Sequence, residues 1–198
     1  MTDIPQTLLD QLQRGEVTLF LGAGASFGSV NSAGGKMVLG NQLRDALCNE
    51  FLGGNEKERD LKTVSDFVEN EVGLLKLNLF VAKIFSEFIP NKGLSLLPKF
   101  RWKSIYSTNY DLLVETAYKN GKPLQDLSTF YKDLPTIDKD LAKFPNPVPL
   151  FKIHGTIDAL YDRNAPLVIT TSSYVNVKSF RKGMFDRLIN DVHKQTVI

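Results

Sequence analysis

Val17-Thr18-Leu19-Phe20-Leu21-Gly22-Ala23-Gly24-Ala25-Ser26 sets a short, largely apolar run directly before a turn of small residues. A run of that kind fits a parallel strand buried on both faces, and the small-residue turn fits the first βα connection of an α/β sheet. Ahead of it, Ile4, Leu8, Leu9 and Leu12 recur at helical spacing up to Arg14, and Gly15 is a natural stop. A helix entering a buried strand is the expectation.

Behind the turn the pattern is mostly helical. Leu39, Leu43 and Leu47 form one segment, Leu61, Val64, Phe67 and Val68 the next, and Phe80, Val81, Ile84, Phe85 and Phe88 a third. Residues 27–102 therefore read as a helical insertion. The pairs Gly34-Gly35 and Gly53-Gly54 and the charged run from Glu56 punctuate it as loops or solvated faces. Strand signals resume at Ser104-Ile105-Tyr106-Ser107, followed by Thr108-Asn109-Tyr110-Asp111 and a helix carrying Leu112, Leu113, Ala117 and Tyr118. After Pro145, Pro147 and Pro149, two further strands are expected, Leu150–Ile153 leading into His154-Gly155 and Leu167–Ile169 leading into Thr170–Ser173. Lys178–Lys194 reads as one helix, and Thr196-Val197-Ile198 opens another apolar run. The fold class is α/β, a Rossmann-like parallel sheet flanked by helices. Its polar strand ends gather at the carboxyl edge, where open sheets of this kind bind ligands.

Composition narrows the function. With 24 Lys and Arg against 22 Asp and Glu there is no excess of positive charge to track a phosphate backbone, so nucleic acid is not the expected partner. No stretch approaches the roughly 20 apolar residues of a membrane span, and MTDIPQTLLDQLQRGE is too polar for a secretory signal. A cytoplasmic location is expected. The single cysteine, Cys48, sits among Ala46, Leu47, Phe51 and Leu52 and reads as a buried thiol in an amphipathic helix. One cysteine also excludes a four-cysteine zinc module, and no metal is expected.

Three segments could carry chemistry. Gly22, Ala23, Gly24 and Ser26 could bring backbone N–H groups to a pyrophosphate, or form a purely structural turn. The ordinary dinucleotide fingerprint fits poorly. Its third glycine falls at Phe27, and no acidic residue ends a second strand about 20 residues on. Thr108, Asn109 or Asp111 could cap the following helix. Alternatively, Asn109 could position a water or ribose hydroxyl and Asp111 could bind a ribose or orient its neighbours. His154, between an apolar strand and a glycine, is either a satisfied structural histidine or a general base with a pKa near 6.5. His193, on a polar helix face, has no assigned chemistry.

Taken together, GAGAS (Gly22–Ser26), STNYD (Ser107–Asp111) and KIHG (Lys152–Gly155) resemble the sirtuin-like superfamily, and most closely the sirtuin-like NAD hydrolase domains of prokaryotic anti-phage defence proteins. The resemblance implies one sirtuin-like NAD-binding domain over residues 1–198. Gly22, Ala23, Gly24, Ser26, Thr108 and Asp111 would contact NAD, and Asn109 and His154 would do the chemistry. It implies hydrolysis of NAD, as substrate, to nicotinamide and ADP-ribose, with NAD depletion as the cellular effect and an activating partner or homo-oligomer as the switch. Protein deacylation fits less well, because the zinc module is missing and Thr108 stands where the deacetylases carry glutamine. A nucleotide-sensing module without turnover is the other alternative, against which Asn109 and His154 count. In the family the last strand runs on into a glycine-containing segment that closes the adenine side. The expectation is therefore the N-terminal part of a longer effector, with an incomplete adenosine end and weak NAD binding.

Overall fold

Gly15 closes the first helix in the left-handed region (φ 69°), where its N–H reaches back to the carbonyls of the last turn and a side chain would be strained. The chain leaves that cap directly into the first strand. In the computed structural model, which describes residues 4–162 and 164–198, the order is α1 (Gln6–Arg14), β1 (Val17–Leu21), a 3₁₀ turn (Ala23–Ser26), β2 (Val30–Asn31), α2 (Gly40–Phe51), α3 (Leu61–Val72), α4 (Leu74–Phe85), β3 (Phe88–Ile89), α5 (Lys92–Leu96), β4 (Ser104–Ser107), α6 (Leu113–Asn120), β5 (Asp126–Phe130), α7 (Ile137–Leu141), β6 (Pro147–Lys152), α8 (Thr171–Phe180), α9 (Lys182–Lys194) and β7 (Thr196–Val197). The main sheet has the order β5-β6-β4-β1-β7, every pair parallel. The fold is α/β, a Rossmann-like parallel sheet flanked by helices. The carboxyl ends of β1, β4 and β6, three neighbours, deliver the Gly22 turn, Thr108–Asp111 and His154 to one edge.

Alternation along the strands divides the apolar residues between two layers. Val17, Leu19, Leu21, Ile105, Val148 and Leu150 face α5 and α6 and pack on Leu94, Leu113 and Tyr118. Tyr106, Phe130, Phe151 and Ile153 face the other side, against Ile137 of α7 and Met184 of α9. A third cluster belongs to α2, α3 and α4, with Leu43, Leu47, Cys48, Val64, Val68, Leu77 and Val81 fully enclosed.

Four expectations need correction. Leu167–Ile169 is buried but is not a sheet strand. The N–H of Val168 donates to the carbonyl of His154 (3.0 Å), the Tyr110 hydroxyl donates to the Val168 carbonyl (2.6 Å), and the N–H groups of Ile169 and Thr170 donate to Ser173 Oγ (2.9 Å each). Those backbone groups are satisfied by the His154 carbonyl and by side chains instead of a neighbouring strand, while Leu167 and Ile169 plug the helical cluster. Lys178–Lys194 is not one helix, because Arg181 (φ −137°, ψ 32°) breaks it between α8 and α9. Gly22–Ser26 leads into a 3₁₀ turn, with no full helix until α2. Phe88 lies outside α4, in a two-stranded antiparallel ribbon of β2 and β3. Strand β5, which carries no apolar run, is an addition. No helix among the described residues is long and apolar enough to cross a membrane.

Candidate active site

Asn109 ties the first two segments together. Its Nδ2 donates to the Gly22 carbonyl (3.0 Å) and to Ser26 Oγ (3.0 Å), and its own N–H donates to Ser107 Oγ (3.0 Å). With both amide hydrogens committed to the first turn, the acceptor Oδ1 is the part of the side chain left to meet a ligand. Ser26, itself buried, passes the chain of bonds on by donating to Asp111 Oδ2 (2.7 Å). The other oxygen of Asp111 accepts from the N–H of Leu113 (3.1 Å) at the start of α6. Asp111 therefore both takes up the N–H of the first residue of α6 and anchors Ser26. Thr108 continues the ladder, its N–H donating to the Leu21 carbonyl (3.1 Å).

The turn itself offers backbone rather than side chain. Gly22 has φ −104°, a conformation open to any residue, so its glycine is not required by backbone geometry. A Cβ built at Gly22 or Gly24 would meet nothing within 4 Å, so the space beside both backbones is open. The N–H groups of Ala23 and Gly24 precede the first hydrogen bond of the 3₁₀ turn, from Ala25 N–H to the Gly22 carbonyl (2.9 Å).

Beneath this layer lies Lys152, a charge within an apolar strand. It is almost fully enclosed, and its Nζ donates to the Asp111 carbonyl and to Glu115 Oε1 (3.2 Å). Burial raises the Glu115 carboxyl above its usual range against the pull of Lys152. The ammonium holds the backbone of the Asn109–Asp111 segment from below.

Ser26, Thr108, Asn109, Asp111 and His154 all line one cavity of about 210 Å³, together with Ala23. Much of the rest of its wall is apolar, with Leu39, Leu43, Leu61 and Phe85 beside the rings of Tyr110 and Tyr174. Gly22 and Gly24 flank this cavity without lining it. His154 stands edge-on to Tyr174, with ring centroids 5.5 Å apart. Desolvation, and then the positive charge of Arg181, push its pKa down to about 4. This corrects the expectation of a pKa near 6.5. The imidazole is neutral at pH 7, free to accept a proton but a weaker base. His193 is exposed on α9 and does not line the cavity.

Sequence reasoning missed the apolar wall, which comes from the insertion and from α8, and it missed Arg181. That guanidinium is fully enclosed, donates to the carbonyls of Tyr131 (2.9 Å) and Pro166 (2.9 Å), and has its pKa lowered to about 10 by burial. Nothing in its surroundings in the sequence marks it. Lys152 did carry a signal, a lone charge inside an apolar strand. Among the described residues no group of three or more His, Cys, Asp or Glu is placed to hold a metal ion.

Residues 103–198 match the family model described as the SIR2-like domain. The match takes in the ends of β4 and β6, hence Thr108–Asp111 and His154, and leaves out the Gly22–Ser26 turn. No curated protein matches the chain.

Proposed function

Taking residues 103–198 as a SIR2-like domain, we propose that this chain binds NAD at the carboxyl edge of the sheet and hydrolyses its nicotinamide–ribose bond, releasing nicotinamide and ADP-ribose. The observation that carries this reading is the single cavity onto which Asn109, Asp111, Ser26 and His154 converge from three neighbouring strand ends. A cavity of about 210 Å³ is smaller than the roughly 300–1,000 Å³ that encloses a whole drug-sized ligand. It suits the nicotinamide end, while the pyrophosphate lies along the open backbone of Gly22, Ala23 and Gly24.

The chemistry follows from the walls. The bound nicotinamide ring is cationic, and the aliphatic lining of Leu39, Leu43 and Leu61 solvates that charge poorly. As the C–N bond breaks, its electron pair goes to the ring nitrogen, nicotinamide leaves neutral, and positive charge moves to the ribose. Asn109 Oδ1, held by the two bonds from Nδ2, accepts from a ribose hydroxyl or from the attacking water. Water adds its oxygen to the anomeric carbon and gives up a proton, which neutral His154 accepts. Asp111 and Lys152 act by positioning. The resemblance to defence NAD hydrolases supports a cytoplasmic, NAD-depleting effector held in check by a partner or by assembly.

Incubation with NAD, alone and with an acylated peptide, tests this. Nicotinamide and ADP-ribose should appear by chromatography without peptide. Product only in the presence of peptide would favour deacylation instead, and binding without product would favour a sensor.

A further inference from the structure

Arg181, at the break between α8 and α9, is a fully buried cation that forms no ion pair among the described residues. Its Nε and Nη2 donate to the carbonyls of Tyr131 and Pro166 (2.9 Å each), and its Nη1 is buried with no partner. The two carboxylates whose charge reaches it are held elsewhere. Asp133 accepts from the N–H groups of Gly183 (2.8 Å) and Met184 (2.9 Å), and Asp162 is paired with Lys132 (2.5 Å). Two carbonyl dipoles leave much of a buried charge uncompensated, so a positive field acts on whatever lies beside the guanidinium.

Beside it lies the turn that carries His154. A Cβ at Gly155 would stand 3.2 Å from Nη2. The Pro166 carbonyl that Nη2 holds leads, two residues on, to the Val168 N–H that donates to the His154 carbonyl (3.0 Å). The guanidinium is thus packed against the turn on one side and braces its hydrogen-bonded neighbour on the other. Around the imidazole, Tyr174 of α8 stands edge-on, and the Asp111 carboxylate across the cavity accepts from Ser26 Oγ and the Leu113 N–H. The Tyr110 hydroxyl is spent on the Val168 carbonyl, and Lys152, two residues back in β6, is paired with Glu115. After desolvation, the charge of Arg181 is what disfavours the imidazolium.

Resting on the reading of His154 as proton acceptor, we propose that Arg181 is a positioning residue of this site, which holds the His154 turn from behind and by its charge keeps the imidazole an open acceptor. The base is weaker for it. In return it keeps its working form well below neutral pH, when a histidine at an ordinary site would already carry a proton.

NMR titration of the His154 ring in the whole chain, without nucleotide and with His193→Ala to assign the two histidines, tests this. His154 should titrate at about 4 in the parent and at least about half a pH unit higher in Arg181→Met, but close to the parent in Arg181→Lys, which keeps the charge. The acid limb of kcat/KM for nicotinamide release should move up with it in Arg181→Met. Lys132→Met, a change at a partly exposed side chain, leaves the Asp162 carboxylate to Arg181 and should move His154 the same way by less. The titration judges Arg181 whether or not nicotinamide is released, so this proposal and the proposed reaction fail separately. An unchanged His154 midpoint in a folded Arg181→Met, or an equal rise in Arg181→Lys, would overturn it. Should Arg181→Met not fold, no movement in Lys132→Met would do the same.

Discussion

In the proposed reaction Asn109 and His154 divide the labour at the residue scale. Asn109 braces the first turn, since its Nδ2 bridges Gly22 and Ser26, whereas His154 meets the edge of the Tyr174 ring. Alanine at either position should lower NAD turnover by about 10²-fold or more. His193→Ala should leave it unchanged, and steady-state nicotinamide release compares the three. Only Asn109→Ala should also lower the melting temperature, because the first turn loses its tie to β4. The pH dependence carries a second prediction. With the pKa of His154 pushed down to about 4, kcat/KM should stay level from about pH 8 down to pH 5 and fall only near 4, rather than near 6.5. The same shift affects stability. Between the unfolded value of 6.5 and the folded value near 4, the unfolded chain binds a proton that the folded chain refuses. The shift has no effect on stability above pH 6.5, and as pH falls from there through 4 the folded state loses up to about 3 kcal/mol. Thermal melts across that window should fall for the parent and fall less for His154→Ala.

At the scale of elements, the connection from β6 to α8 is held by one residue in particular. Gly155 has φ +88°, and a Cβ there would lie 3.1 Å from the Pro166 carbonyl and 3.2 Å from Arg181 Nη2. Gly155→Ala should cost about 1–3 kcal/mol, and at about 2–4 °C per kcal/mol the loss is visible in a thermal melt. The KIHG turn was legible in sequence because a strand end, a histidine and a glycine fall together. Strand β1 and its turn were equally legible, since a buried parallel strand must be apolar on both faces. Strand β5 was not, for it lies at the sheet edge, pairs only with β6 and buries Phe130 alone, so DLSTF carries no apolar run. Leu167–Ile169 misled for the opposite reason. Its apolar residues are as buried as a central strand's, but they fill the helical cluster. Which partner an apolar run meets is a tertiary fact. The break at Arg181 was hidden because a buried arginine resembles any charged residue of a helix face until its carbonyl partners are in place.

Across the whole molecule, the sheet is sandwiched between two apolar layers, and the helices α2, α3 and α4 keep a third cluster largely to themselves. That cluster also supplies Leu43 and Phe85 to the candidate active-site cavity, which therefore depends on how firmly the insertion sits. Cys48 lies within it, with no exposed surface and with burial raising its thiol pKa. As the only thiol of the chain, it is a chemical clock for this region. A disulfide reagent can reach it only when the three helices part, so the labelling rate under native conditions measures the free energy of that opening, separately from global unfolding. Labelling should be slow, single-phase and accelerated by low denaturant well before the sheet melts. Labelling that tracked the global transition throughout would mean that the insertion and the sheet open as one unit.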